Sequence, residues 1–132
     1  MPLDRPQHRD RDSEHVTPES FERVVWETLD SLPAWVREEL NNIELIIQDL
    51  PGPELDPDGD GMLGLYLGTP LTERSIEDVG VVPDIIYLFR RPHLELGLPE
   101  ADLIHEIRTT LIHEIAHFFG IDDDHLDEIG WG

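Results

Sequence analysis

The chain has 132 residues, with 30 acidic and 9 basic side chains, a formal net charge of −21 and no cysteine. That length supports one domain with one modest core. The missing cysteines exclude disulfides and thiolate-bound metal, and so large an acidic excess excludes a nucleic-acid binder, which needs a basic footprint for phosphates.

No run of 18 apolar residues is present, so no membrane contact is expected. Met1-Pro2-Leu3-Asp4-Arg5-Pro6 lacks the apolar stretch of a signal peptide, which predicts a cytoplasmic protein. All nine basic residues are Arg. An acidic, Lys-free surface fits a high-salt setting and a biased genome equally well. Its field would draw basic peptides, although solubility and dispersion of monomers is the simpler account.

Residues 1–16 carry Arg, Asp, His and Pro and almost nothing apolar. Such a stretch buries too little surface to offset its ordering entropy, and a disordered tail is expected, with one domain over 17–132. Thr17-Pro18 has the chemistry of a helix start, Thr as N-cap and Pro at the first helical position. Phe21, Val24, Val25, Leu29 and Leu32 then recur at helical spacing. A second, short helix follows Pro33 and ends at Asn41-Asn42, and Trp26 and Trp35 are expected to be packing residues rather than ligand contacts. Ile43–Asp49 predicts a strand with Ile43, Leu45 and Ile47 on one side, stopped by Pro51-Gly52-Pro53.

Asp56-Pro57-Asp58-Gly59-Asp60-Gly61 imitates the first half of a calcium-binding loop. The twelfth position, where a bidentate Glu belongs, is Leu67, and Leu63–Leu67 reads as a strand rather than a flanking helix. An acidic surface turn is therefore expected. Residues 71–83 form a polar loop. Asp84–Arg90, rich in β-branched and aromatic residues, is the clearest strand. His93 follows in a Pro-flanked loop, where a lone His is more often structural or solvated than functional. Pro99 then opens a long helix whose Leu103, Ile104, Ile107, Leu111, Ile112, Ile115 and Phe118 give a wide apolar face, so this helix is expected to be central. His105 is expected to be exposed on it, and Arg108 to pair with a carboxylate.

That helix carries His113-Glu114-Ile115-Ala116-His117, an H-E-x-x-H pattern. Residues four apart share a helical face, so both imidazoles can reach one point, as zinc requires. Glu114 is placed to take a proton from a water at the metal. Gly120 can adopt positive φ and reverse the chain, which would bring Asp123 under the metal as third ligand and leave a fourth position for water. Asp122, Asp124, His125, Asp127 and Glu128 also follow. Of these His125 is the alternative ligand, and Asp122 and Asp124 suit caps of the next turn.

H-E-x-x-H-x-x-G-x-x-D over 113–123 resembles the Asp-zincin motif. In so short a chain, Val24 to Trp131 is most similar to the mini-zincins, single-domain zincin-like metallopeptidases of bacteria. The likeness is strongest over Thr110–Gly120 and Leu126–Trp131. It implies an α+β fold: a small, mostly antiparallel sheet packed on a long active-site helix, with N-terminal helices. It also implies zinc held by His113, His117 and Asp123, Glu114 as catalytic base, and an extended peptide bound along a strand edge, either the Asp84–Arg90 strand or Gly64–Leu67. The only methionines are Met1 and Met62, so the Met-containing turn of metzincins is absent, and Trp131 would floor the site or simply pack.

The expectation is thus a zinc-dependent hydrolase of peptide bonds. No oxyanion partner stands out: His93, Tyr66 and Tyr87 are candidates. The lower cleft wall is expected to be minimal, to be completed by a partner chain or by a second protomer in a homodimer. The alternative function is a non-catalytic binding module that uses its sheet edge to hold a protein partner, against which the intact Glu114 argues.

Overall fold

The computed structural model describes residues 16–73 and 84–121. Helix α1 (Pro18–Asp30) begins as its sequence dictates. Thr17 is extended, and its hydroxyl accepts the backbone N–H of Ser20 at 3.1 Å. Phe21 and Val25 are fully buried, with Val24 and Leu29 partly so. The expected tail lies outside the described residues except Val16, which is 2% exposed and whose carbonyl accepts from Arg90 at 3.0 Å. The domain therefore includes this residue.

Helix α2 (Ala34–Glu39) follows Pro33 and passes through a 3₁₀ turn, Leu40–Asn42, into strand β1 (Ile43–Gln48). Trp26 and Trp35 are 48% and 56% exposed, so they pack at the margin of the domain rather than in its core, Trp26 beside Leu29 and Leu40. The buried residue of α2 is instead Val36, while Trp35 meets the ring of Phe119 edge-on at 5.6 Å. After a four-residue helix, α3 (Gly52–Leu55), comes the acidic turn. Asp56 accepts the N–H groups of Asp60 and Gly61, both at 3.0 Å. With further amides from Met62 and Gly59, these hold its carboxyl below the usual range. The carboxylate closes its own loop, in agreement with an acidic turn.

Strand β2 (Gly64–Leu67) and strand β3 (Asp84–Phe89) complete a sheet of order β1-β3-β2. The sheet is mixed rather than mostly antiparallel. β1 runs parallel to β3 over Ile43↔Asp84 to Gln48↔Phe89, and β2 runs antiparallel to it from Gly64↔Leu88 to Leu67↔Ile85. β3 is therefore the central strand, and the chain reaches it only after placing β1 and β2 to either side. Helix α4 (Arg90–Leu94) replaces the expected loop around His93. Arg90 pairs with Asp49 at 2.8 Å and ties the β3–α4 junction to the end of β1.

Helix α5 (Glu100–Phe119) packs against the sheet and α1. Leu103, Ile107, Leu111 and Ile115 are fully buried with Phe21, Val25, Ile86 and Leu88 in one cluster. Each such aliphatic contributes about 1.5–3 kcal/mol on burial, so this face fixes the helix on the sheet. The remaining α5 expectations divide. His105 is exposed, as expected, while Arg108 is also exposed and takes part in no ion pair among the described residues. α5 ends at Gly120, whose φ of +79° is the left-handed conformation its sequence position predicts. Ile121 N–H returns to the Ala116 carbonyl at 2.8 Å. A Cβ at residue 120 would also strike Thr72 of the 3₁₀ turn Leu71–Glu73, so glycine is required there twice over.

Candidate functional site

The last two turns of α5 carry the chemistry. Glu114 faces inward and is 9% exposed; His113 is half-buried, and the His117 side chain is 57% exposed. Nδ1 of His117 lies 3.2 Å from Oε1 of Glu114. With the carboxylate ionised, that contact places the ring proton on Nδ1 and leaves the Nε2 lone pair for another partner. Burial pushes the Glu114 carboxyl above its usual range, opposed by the electrostatic influence of the His117 and His113 rings, by the His117 contact and by a hydrogen bond from the Tyr66 backbone amide.

The Tyr66 contact ties β2 to the site. β2 is an edge strand, and α5 lies against it. The approach is close: a Cβ on Gly64 would sit 2.8 Å from the methyl of Thr110 and 3.0 Å from the Tyr87 carbonyl. Between helix and strand lies a cleft of about 350 Å³, lined by Gly61–Gly64 on one side and by Glu106, Thr109, Thr110, His113 and Glu114 on the other. Of the two strands suggested for peptide pairing, β3 is internal and β2 lies at the edge of the sheet among the described residues.

The three candidate oxyanion residues are all committed elsewhere. His93 is fully buried, its Nδ1 2.7 Å from the Phe89 carbonyl and its Nε2 2.9 Å from the Thr110 hydroxyl. Tyr66 donates its hydroxyl to Asp84 at 2.7 Å. Tyr87 stacks on Phe89 and lines a separate hollow with Gln48 and residues 51–55. Asp123, the alternative His125 and Trp131 lie outside the described residues. Among the described residues no group of three His, Cys, Asp or Glu side chains is gathered closely enough to hold a metal.

Glu106 and Thr110 were not read from the sequence as part of a site. They stand seven and three residues before His113, so helical spacing alone puts them on its face.

The sequence that builds this helix and strand is matched by a family model. The model is that of the zincin-like metallopeptidases, and it matches residues 40–131. The chain belongs to this zincin-like family. No curated protein matches it. The match takes in β1, the acidic turn, β2, β3 and α5, all the parts that build the cleft, and leaves out α1 and α2. No helix among the described residues is long and apolar enough to cross a membrane.

Proposed function

We propose that this zincin-like chain is a zinc-dependent metallopeptidase. The observation that carries the reading is the buried carboxylate of Glu114, held between the two motif imidazoles and the backbone of the edge strand. A purely structural metal site has no use for a desolvated carboxylate there. The donor set suits zinc: two imidazoles one helical turn apart, and an ionised Glu114 beside Nδ1 of His117 would favour the tautomer that leaves Nε2 available. His113, His117 and Asp123 would hold the ion, with His125 as the rival third ligand. When bound, zinc supplies a Lewis acid that polarises the scissile carbonyl and acidifies a water.

The chain's own residues then do the rest. β2, the edge strand beside the cleft among the described residues, pairs with the main chain of an extended peptide, which fixes the carbonyl without demanding particular side chains. The cleft between Gly61–Gly64 and α5 gives the peptide room beside Glu114. Glu114 accepts a proton from the attacking water and delivers it to the leaving nitrogen. Burial raises its proton affinity toward the value such a shuttle needs, and the neighbouring imidazoles keep the ionised form accessible.

The test is metal content and turnover measured together. Wild type should hold about one zinc per chain and His117→Ala should lose it. Glu114→Gln should keep the zinc and lose peptide hydrolysis by roughly 10²–10⁴-fold. Asp123→Ala should weaken zinc binding more than His125→Ala, and the reverse order would reassign the third ligand. Unchanged behaviour of Glu114→Gln would replace the peptidase with a binding module that holds a protein partner on the β2 edge.

A further inference from the structure

The cleft does not end at His113 and Glu114. Toward the N-terminus of α5 its lining continues through Thr110 and Thr109 to Glu106, with the backbone of residues 61–64 opposite. Glu106 is seven residues before His113. Two helical turns put the two side chains on one face, roughly 10.5 Å apart along the axis. Every other residue at that end is uncharged: Gly61, Met62, Leu63, Gly64 and the two threonines.

The Glu106 carboxylate has no counter-ion among the described residues, where the ion pairs are Arg90–Asp49 and His117–Glu114. Arg108, the nearest cation in sequence, lies about 200° round the helix and is exposed. Glu106 itself is half-buried, so its charge is only partly screened by water.

Resting on the peptidase reading, we propose that Glu106 is the specificity-determining residue of this site and selects peptides with an Arg or Lys beside the scissile bond. An extended basic side chain reaches roughly 6–7 Å from its Cα, given bonds of about 1.5 Å. With its backbone held at the β2 edge near His113, its cationic end arrives at Glu106. The Thr109 and Thr110 positions flank its aliphatic stem, and the cleft's volume of about 350 Å³ accommodates it.

The whole-chain charge of −21 would attract any basic peptide, so the proposal must be separated from that general field. Removing one carboxylate barely alters the field, but it abolishes a local pairing. The experiment uses the zinc-loaded full chain and quenched fluorescent peptides in which a single Arg is walked through a neutral sequence, with Gln in its place as control. Wild type should cleave beside the Arg with kcat/KM roughly tenfold above the Gln peptide, as a charge-assisted pair in a half-buried site supports. Glu106→Gln should bring that ratio close to one, and Glu106→Asp should retain part of it. A variant that was merely misfolded would slow both peptides alike and leave the ratio standing.

An Arg preference that survives Glu106→Gln, or no preference in wild type, overturns the assignment while leaving the peptidase intact. If no peptide is cleaved, the peptidase reading fails instead, and anisotropy of the same labelled peptides decides the remainder. Tighter binding of the Arg peptide to wild type than to Glu106→Gln sustains recognition by Glu106. Equal binding, or none, overturns it.

Discussion

His93 shows what a single side chain can carry outside the motif. It is wholly buried against Phe21, between the Phe89 carbonyl at the end of β3 and the Thr110 hydroxyl on α5. When neutral, it donates from Nδ1 to Phe89 and accepts at Nε2 from Thr110. When protonated, it donates from both nitrogens, and Thr110 turns its hydroxyl to the Glu106 carbonyl 2.9 Å away. Burial nevertheless pushes its pKa below the usual 6.5, partly opposed by the Phe89 carbonyl and the negative charge of Glu106. The unfolded chain therefore takes up a proton as pH falls through about 6.5, while the folded chain does not until its lower pKa is reached. His93's contribution to stability is complete above the unfolded value and is lost as pH falls through the window beneath it. Urea midpoints of the metal-free protein at pH 7.5 and 5.5 should show this loss in wild type. Gln cannot titrate, so His93→Gln should show a shallower pH dependence, beside a general cost of about 1–3 kcal/mol. An identical pH dependence in both proteins would mean that His93 titrates as it does in the unfolded chain.

At the scale of elements, periodicity made the long parts legible. α1, α2, the three strands and α5 stand within a residue or two of where cap chemistry and apolar spacing put them. The two short helices, α3 and α4, escaped because Pro53 and Pro92 read as breakers, although proline fits a first helical turn. Strand order was not legible, because it depends on pairings between residues far apart in sequence. Only that order decides that β2, and not β3, is the edge strand beside the cleft among the described residues. The His113, Glu114 and His117 arrangement was legible from i, i+4 spacing, but the partner that β2 supplies to Glu114 was not. The spacing between β2 and α5 is in turn set by Gly64. Gly64→Ala must displace either the Thr110 methyl or the Tyr87 backbone carbonyl, and the backbone cannot yield cheaply. We expect a loss of about 1–3 kcal/mol in chemical denaturation. Combining it with Thr110→Ser, which deletes the methyl and keeps the hydroxyl for His93, should recover part of that loss. A Gly64→Ala protein as stable as wild type would show that the strand and helix are less tightly apposed than the contacts imply.

For the molecule as a whole, charge is the property that composition announced and packing left in place. Thirty acidic side chains face nine Arg, and the one pairing with an Arg among the described residues joins Arg90 to Asp49. Folding brings the excess carboxylates together, so self-repulsion is greater in the native state than in the expanded chain. The Debye length falls from about 30 Å at 0.01 M salt to about 3 Å at 1 M, which removes all but the nearest repulsions. Stability should therefore rise with sodium chloride over that range, by roughly 1 kcal/mol or more, or about 2–8 °C in Tm. The Arg90–Asp49 pair works in the opposite direction, but an exposed pair contributes at most about 1 kcal/mol and is outnumbered. Replacing several exposed carboxylates remote from the cleft, Glu19, Glu22, Glu38 and Glu39 for example, with Gln should raise Tm in low salt and flatten its salt dependence. A Tm that stays level or falls as salt is added would show that the carboxylates are neutralised by pairing or by bound cations rather than left in mutual repulsion.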